Sequence, residues 1–281
     1  MPDHLILRLK APFASVGAVS GEVTRRAGDL PTRSMVIGLI GNALGLDRTR
    51  ASDMRLLGRL QDSTAFAVLM LSTPGKWVDP QNARGPAECL DNVSDRLERG
   101  GRIVDDPLQD GIGDAREVDQ LKAFLDKRAQ QREKHYLTDL HALVALSAPH
   151  GWIGPLGSLV DALRRPARPL WIGRKACPPS APICPLQPIV TADSGPAALA
   201  QSLGEPTERE AIKALGRAEL ALWWEASPEP GSSQAASIGI SGGFPTKVMD
   251  RRDWVRGLHV EGSVMLRGSL AVPMEMEVGC G

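Results

Sequence analysis

Aromatic side chains are scarce in this 281-residue chain, at 4% of the total, and most of them are tryptophans. A stacking platform of repeated Phe and Tyr is not evident in it. Cysteine is rarer still: Cys89, Cys177, Cys184 and Cys280 include no CxxC pair and no zinc-ribbon spacing, so reduced thiols are expected. The histidines are scattered, with no HExxH and no paired-His motif, and neither a metal site nor a cofactor is expected. No apolar run approaches the length of a membrane span, and the opening MPDHLILRLKAPF carries no cleavable small-residue site. A cytoplasmic protein without membrane contact is the expectation.

Catalytic signatures are missing in the same way. The glycines of Gly38-Leu39-Ile40-Gly41-Asn42-Ala43-Leu44-Gly45 lack dinucleotide spacing, and no Lys-Ser/Thr follows them. They read as a glycine-rich packing helix that lets another backbone approach. No GxSxG elbow surrounds a serine, and Asp105-Asp106 read as a solvated turn.

What stands out is local charge. The chain balances 33 basic against 33 acidic residues, yet the stretch 164–179, RRPARPLWIGRKACPP, holds Arg164, Arg165, Arg168, Arg174 and Lys175 without one acidic neighbour. Such a cluster suits a polyanion, with a merely solvated face as its alternative. Gly173 would let backbone approach a ligand closely, and the prolines forbid a regular helix. Trp171 is the stacking candidate, or else a core residue. A second basic loop places Thr24-Arg25-Arg26 and Thr32-Arg33-Ser34 where guanidiniums and hydroxyls could face one anion. Its alternative is that Arg33 caps or salt-bridges the helix that follows. In Arg132-Glu133-Lys134-His135-Tyr136, His135 is a candidate base toward a 2′-hydroxyl, and Tyr136 either stacks on a base or fills a core edge.

The pattern of elements points to an α+β sheet with helices on one face, and a ferredoxin-like, RRM-like arrangement is one compact solution. A strand is expected over 5–9, ending before Ala11-Pro12, then a helix through 36–46 capped by Thr32 or Ser34. A second helix over 53–60 and a strand over 65–71 follow. Residues 74–131 are polar and lack a core pattern, which reads as a projecting insertion, with a short helix at 118–134. Then come a strand over 141–146, a helix over 157–163 and, past Cys184, helices over 196–204 and 208–225. A linker spans 227–233, and residues 259–272 resemble a hairpin turning near Arg267-Gly268.

Four segments, LILRLKAPFASVG, TRRAGDLPTRSMVIGLIGNALGLDR, REKHYLTDLHALVAL and RPARPLWIGRKACPPSAPI, occur in the order seen in one family. The chain resembles the Cas-five-family (RAMP-superfamily) subunit of the type I-E CRISPR Cascade complex over roughly residues 4–72 and 132–186. The resemblance implies an RRM-like RAMP domain over 1–186, with 74–131 as an inserted thumb, and a C-terminal helical and β-hairpin extension over 187–281. It implies a non-catalytic subunit gripping the 5′ handle of the CRISPR RNA. Its neighbours would be the large PAM-reading subunit and a CasC-type backbone subunit, with target DNA met indirectly through the complex. Carried onto this sequence, the handle-facing residues would be Arg25, Arg26, Arg33, Ser34, Arg132, Lys134, His135, Tyr136, Gly173, Arg174 and Lys175. Arg164, Arg168 and Trp171 join them from the basic loop. Two alternatives stand beside this reading: a repeat-specific, metal-independent endoribonuclease, and a small-molecule α/β enzyme with an incidental basic loop.

Overall fold

The computed structural model describes residues 1–17, 24–25, 28–83, 130–147, 156–225, 239–248, 251–256, 258–259 and 262–272. The chain divides into two compact units. The first takes Met1–Val19, Ala27–Trp77 and Tyr136–Gly281, and the second takes Ser20–Arg26 and Val78–His135.

The first unit is a mixed α/β structure on an antiparallel sheet. In β1 (Asp3–Ala14), Leu5, Leu7, Leu9 and Ala11 enter one core cluster and Ile6 enters another. The period of two belongs to strand geometry, and burial on both faces makes LILRL nearly unbroken in its apolar character. In β3 (Phe66–Met70) and β5 (Gln130–Ser147), Phe66, Val68, Ala142 and Val144 face the first cluster, while Ala67, Leu69, Leu143 and Ala145 face the second.

Helices α1 (Arg33–Ala43), α2 (Ala51–Ser63) and α3 (Leu156–Arg164) supply the first cluster, and α4 (Gly195–Ser202) and α5 (Pro206–Leu215) supply the second. Helices therefore cover both faces, not one as expected. With β6 (Ile189–Thr191), β7 (Glu219–Glu225), β8 (Ile240–Val248) and β11 (Ser263–Ala271), the sheet runs in the order β6-β1-β5-β3-β7-β11-β8. Every neighbouring pair on that path is antiparallel. Because β6 pairs with β1 and β7 with β3, the chain beyond residue 186 extends the same sheet. Two-residue strands β9 (Arg252–Asp253) and β10 (Leu258–His259) form a separate ladder. In the second unit, β2 (Thr24–Arg25) pairs in parallel with the start of β5, Thr24 opposite Glu133 and Arg25 opposite Lys134. β4 (Gly75–Ala83) also pairs with β5.

Several expectations are corrected. β1 continues through Pro12 to Ala14, since Phe13 and Ala14 still pair with Thr138 and Leu137 of β5. Thr32 occupies the N-cap of α1, but its side chain makes no capping hydrogen bond. The glycines of α1 cost about 1 kcal/mol each relative to Ala. Burying Val36, Ile37, Leu39 and Ile40 contributes about 1.5–3 kcal/mol each, so packing decides the helix. What these glycines admit is side chains and not another backbone: a Cβ at Gly41 would lie 2.9 Å from Leu57, and one at Gly38 3.3 Å from Trp254. The helix expected over 208–225 stops at Gly216, whose φ of 59° ends α5, and Leu220 and Leu222 alternate on β7. The terminal hairpin is one strand, β11, and where a turn was expected its register against β8 shifts between Arg267 and Gly268, with Gly243 of β8 as the extra residue. Residues 130–134 are strand, while the rest of the 118–134 helix call lies outside the described residues. So do Arg26, Asp105-Asp106, the 227–233 linker and 84–129 of the insertion.

Candidate nucleic-acid interface

In the first unit the basic stretch is anchored by a tight turn. Ile172 N–H donates to the Cys177 carbonyl at 2.8 Å, Cys177 N–H to the Arg174 carbonyl at 2.9 Å, and Ser15 N–H to the Ile172 carbonyl at 3.0 Å. Gly173 adopts φ +93°, and a Cβ there would lie 1.8 Å from the Ser15 carbonyl oxygen. The close approach that requires glycine is thus to the end of β1, which corrects the expectation of a ligand at that backbone. Cys177 and Cys184 are buried free thiols. Burial pushes both thiols up, Cys184 to about 11, which holds them as inert packing groups.

The turn presents Arg174 over the ring of Tyr136, 4.9 Å from its centroid. Tyr136 in turn packs against Phe13 at 6.3 Å and Trp77 at 5.7 Å, and Phe13 and Trp77 lie 5.5 Å apart. Tyr136 is buried, whereas Phe13 is 40% and Trp77 46% exposed. The result is an aromatic surface with a guanidinium on its inner ring. Beside Arg174 in sequence, the Lys175 ammonium lies 5.8 Å from the Trp171 ring centroid. Such pairs contribute about 0.5–1 kcal/mol at exposed sites, so they orient the cations more than they stabilise the fold. Exposed rings beside oriented cations can stack bases and neutralise phosphates together.

Arg164 and Arg168 are exposed on the same stretch. Arg164 donates to the Leu186 carbonyl at 3.5 Å, and Arg168 to the Leu46 carbonyl at 2.6 Å. Arg168 also has a carboxylate within range. The Asp47 carboxyl is held below its usual value, chiefly by the Thr49 N–H and hydroxyl, with Arg50 and Arg168 adding to the effect. The acid-free stretch of sequence is therefore not wholly acid-free in space.

Arg33 and Ser34 correct the expectation for the first basic loop. Arg33 is 1% exposed. Its guanidinium is ion-paired with Glu225, donates to the carbonyls of Gln61 and Thr64 at 3.3 and 3.0 Å, and lies 5.8 Å from the Phe66 ring centroid. Ser34 is buried with its hydroxyl 3.4 Å from that of Thr32. Both side chains are committed to the interior, and Arg33 fulfils the salt-bridging alternative with a partner from β7.

In the second unit, Lys134 and His135 lie on β5, and the His135 Nε2 is 3.3 Å from a Glu133 carboxylate oxygen. The two side chains meet because residues two positions apart on a strand share a face. Arg25 is placed by its backbone opposite Lys134, and Arg132 by its backbone in β5.

Sequence reasoning missed Phe13 and Trp77. Their signal was weak: one aromatic at the end of LKAPF and one after Gly75-Lys76, joined only by the pairing of β1 and β4 with β5. It also missed the buried ionic cluster on the second face of the sheet. There Arg8 holds Glu208 through two hydrogen bonds of 2.5 and 2.8 Å and Glu205 through one of 2.9 Å. The His141 Nε2 lies 3.7 Å from the Glu208 carboxylate. Burial alone would raise the Glu208 pKa, but His141 and Arg8 override it and hold the carboxyl below its usual value. This cluster clamps the N-terminus of α5 to β1, with Arg8, His141 and Glu208 buried. Among the described residues, no group of three or more His, Cys, Asp or Glu side chains is placed to hold a metal ion.

The family described as CRISPR-associated protein (Cas_Cas5) matches residues 4–239. The chain belongs to this family. Among curated proteins it is similar to the CRISPR system Cascade subunit CasD of Escherichia coli (strain K12), 28% identical over 190 residues, covering 65% of this chain and 70% of that one. Among solved structures, a chain of a CRISPR RNA-guided surveillance complex superimposes with a TM-score of 0.55 at 18% identity, over 97% of this chain and 92% of that one. A Cas protein crystal structure gives a TM-score of 0.52 at 20% identity, over 97% and 96%. The resemblance drawn from PTRS, IGRK and their flanking segments is thus borne out, and the fold is shared with these Cas structures.

Proposed function

We propose that this chain is a non-catalytic RNA-binding subunit of a type I-E Cascade complex, clamping the 5′ handle of the CRISPR RNA. One observation carries the reading: Phe13 and Trp77 expose their rings around Tyr136, with the Arg174 guanidinium 4.9 Å from the tyrosine centroid. An exposed aromatic pair with an oriented cation is suited to a single-stranded RNA end, where bases are free to stack. Membership of the Cas5 family and similarity to a Cascade subunit support the reading that this RNA is a CRISPR RNA. Lys175, Trp171, Arg164 and Arg168 extend the basic surface of the first unit. Lys134 and His135, in the second unit, are that unit's own candidates for RNA contact, and Arg25 and Arg132 share its strands.

The strand order β6-β1-β5-β3, with helices between β1 and β3 and between β5 and β6, supports a ferredoxin-like RAMP core. The 74–131 segment is its thumb. The large PAM-reading subunit and a CasC-type backbone subunit are the protein neighbours, and target DNA is met through the assembly. Tyr136, packed under two rings and a guanidinium, is held as a platform and not as a proton donor.

The test is recovery of RNA with the protein purified from its own cells, followed by sequencing. Enrichment of fragments with a repeat-derived 5′ end is expected. Protein recovered without RNA would overturn the reading. Incubation with precursor RNA tests the absence of catalysis: the substrate should stay intact, and cleavage lost on His135→Ala would replace the clamp with a nuclease.

A further inference from the structure

At the end of the sheet opposite β8, β6 has one edge paired with β1 and the other open. The alternation of an antiparallel ladder fixes which backbone groups face outward. Ile6 N–H donates to the Pro188 carbonyl at 2.7 Å and Ala192 N–H to the Pro2 carbonyl at 3.1 Å, so Pro188, Val190 and Ala192 turn their backbone groups toward β1. Ile189 and Thr191 turn theirs away, and nothing among the described residues bonds them there. Pro188 takes nothing from this outer row, because its missing N–H would have pointed inward. The far edge is different: β8 carries the extra residue Gly243 and then Pro245, devices that interrupt strand pairing.

The outer row opens on a groove of about 600 Å³, walled by the end of α4 and the start of α5 through Gln201, Gly204, Glu205 and Pro206. Glu205 already does there what a neighbouring strand would do, accepting the N–H groups of Leu186 and Gln187 at 3.1 and 2.9 Å. At the rim, Leu186 is 78% and Ile189 40% exposed. No Lys or Arg lines the groove. At the other end of the row, the Thr191 hydroxyl donates to the Asp3 carboxylate at 2.6 Å. Asp3 and Asp193 are both exposed there, and neither forms an ion pair among the described residues.

We propose that the outer edge of β6 docks an extended segment of a partner protein, which adds to the sheet as a further strand. It puts an apolar side chain into the groove and a basic one beside Asp3 and Asp193. A polypeptide is the occupant because the edge offers donors and acceptors in alternation, repeating every two residues or about 6.6 Å. A phosphodiester backbone presents acceptors to such a row. It would set negative oxygens against the Ile189 and Thr191 carbonyls and find no cation in the groove. A second copy of this chain fits poorly. Stable contacts between folded domains bury about 1,200–2,000 Å², and this edge is three residues long with two exposed apolar side chains beside it. The inference goes beyond RNA binding and uses none of the residues of the Tyr136–Arg174 surface.

The test uses the full chain and a short labelled peptide alternating valine with lysine, beside a copy N-methylated throughout, which keeps the side chains and loses the backbone donors. In the free chain, hydrogen exchange should be fast at the Ile189 and Thr191 amides and slow at Val190 and Ala192. The peptide should slow the outer pair by about tenfold and leave the inner pair alone, and the N-methylated copy should protect neither. Thr191→Pro removes one outward N–H without touching the ladder to β1, and should weaken peptide binding by about fivefold with the melting temperature held. Gly204→Phe, where a Cβ would meet nothing closer than 3.8 Å, fills the groove and should weaken it in the same direction. Arg174→Ala should leave peptide binding unchanged, so failure of the RNA clamp and failure of this docking are read separately. No protection by the peptide, slow outer amides in the free chain, or equal protection by the N-methylated copy would overturn the proposal. So would a dimer of the chain alone that Thr191→Pro dissociates, which would give the edge to a second copy, or displacement of the peptide by oligouridylate.

Discussion

Arg33 and Arg174 carry the same charge to opposite ends. Arg33 opens α1, is 1% exposed, and spends its guanidinium on Glu225 and two carbonyls. Arg174 leaves a turn and sits over the ring of a tyrosine whose neighbouring rings face solvent. A guanidinium can be taken out of water only where its charge is met and its donors are satisfied. The carboxylate that meets Arg33 lies 192 residues further along the chain, and the one that meets Arg8 lies 200 residues away. What a basic residue meets in the fold is thus decided by long-range contacts, not by its immediate sequence.

The sharpest way to break this comparison is to remove a buried partner. Glu208→Ala should cost about 3–5 kcal/mol in urea unfolding, because Arg8 would be left without its main counter-charge. The paired replacement Arg8→Met/Glu208→Leu should recover most of that loss; a small cost for the single change would erase the distinction between the two kinds of arginine. On the exposed side, Trp77→Ala should weaken handle RNA by about 1–3 kcal/mol. Trp77 is 46% exposed, so the stability cost should stay at about 1–2 kcal/mol, below that of a fully buried aromatic. Arg174→Ala should have a smaller effect, near 1 kcal/mol, with the salt slope reduced by about 1.

Acid should separate the buried groups in two stages. Burial lowers the His4 pKa, so the fold favours its neutral form. That preference is fully satisfied above the free-histidine value of about 6.5 and becomes a penalty as pH falls below it. His4→Gln, which keeps a donor for the Ala192 carbonyl, should flatten the first decline in a stability–pH curve. The Glu208 carboxyl, held below its usual value, contributes stability above the unfolded value of about 4.3 that is lost as pH falls through its lower folded value. The smallest effect is expected at the exposed Lys76–Asp29 pair, 2.7 Å apart. Lys76→Ala should change the unfolding free energy by less than about 1 kcal/mol.

The framework was legible where local pattern and burial agree. β1 and β3 are legible as short apolar runs, and the two helices between them and α3 by the spacing of their apolar residues. The C-terminal part was misread because Leu215, Leu220 and Leu222 fit a helical stripe until Gly216 is seen to break it. The single strand β11 reads as a hairpin in sequence because Gly268 suggests a turn, whereas glycine there keeps a Cβ off the Ser241 carbonyl oxygen, which would lie 2.2 Å away. The candidate site was half visible. Arg174, Lys175 and Tyr136 announced themselves by cluster and type, whereas Phe13 and Trp77 acquire meaning only when strands from three parts of the chain are laid together. Arg33 was undecided between anion and helix on its own segment, and Glu225 could not be found from there.

The glycine at position 173 has a consequence for how any ligand is met. Because its backbone is pressed onto the Ser15 carbonyl, the turn bearing Arg174 and Lys175 is bolted to the end of a central strand. The disorder that a free loop would have to surrender on contact has already been given up when the chain folds. Arrival of a partner should leave the main chain there unmoved, and hydrogen exchange at the Ser15, Ile172 and Cys177 amides should be slow before as well as after.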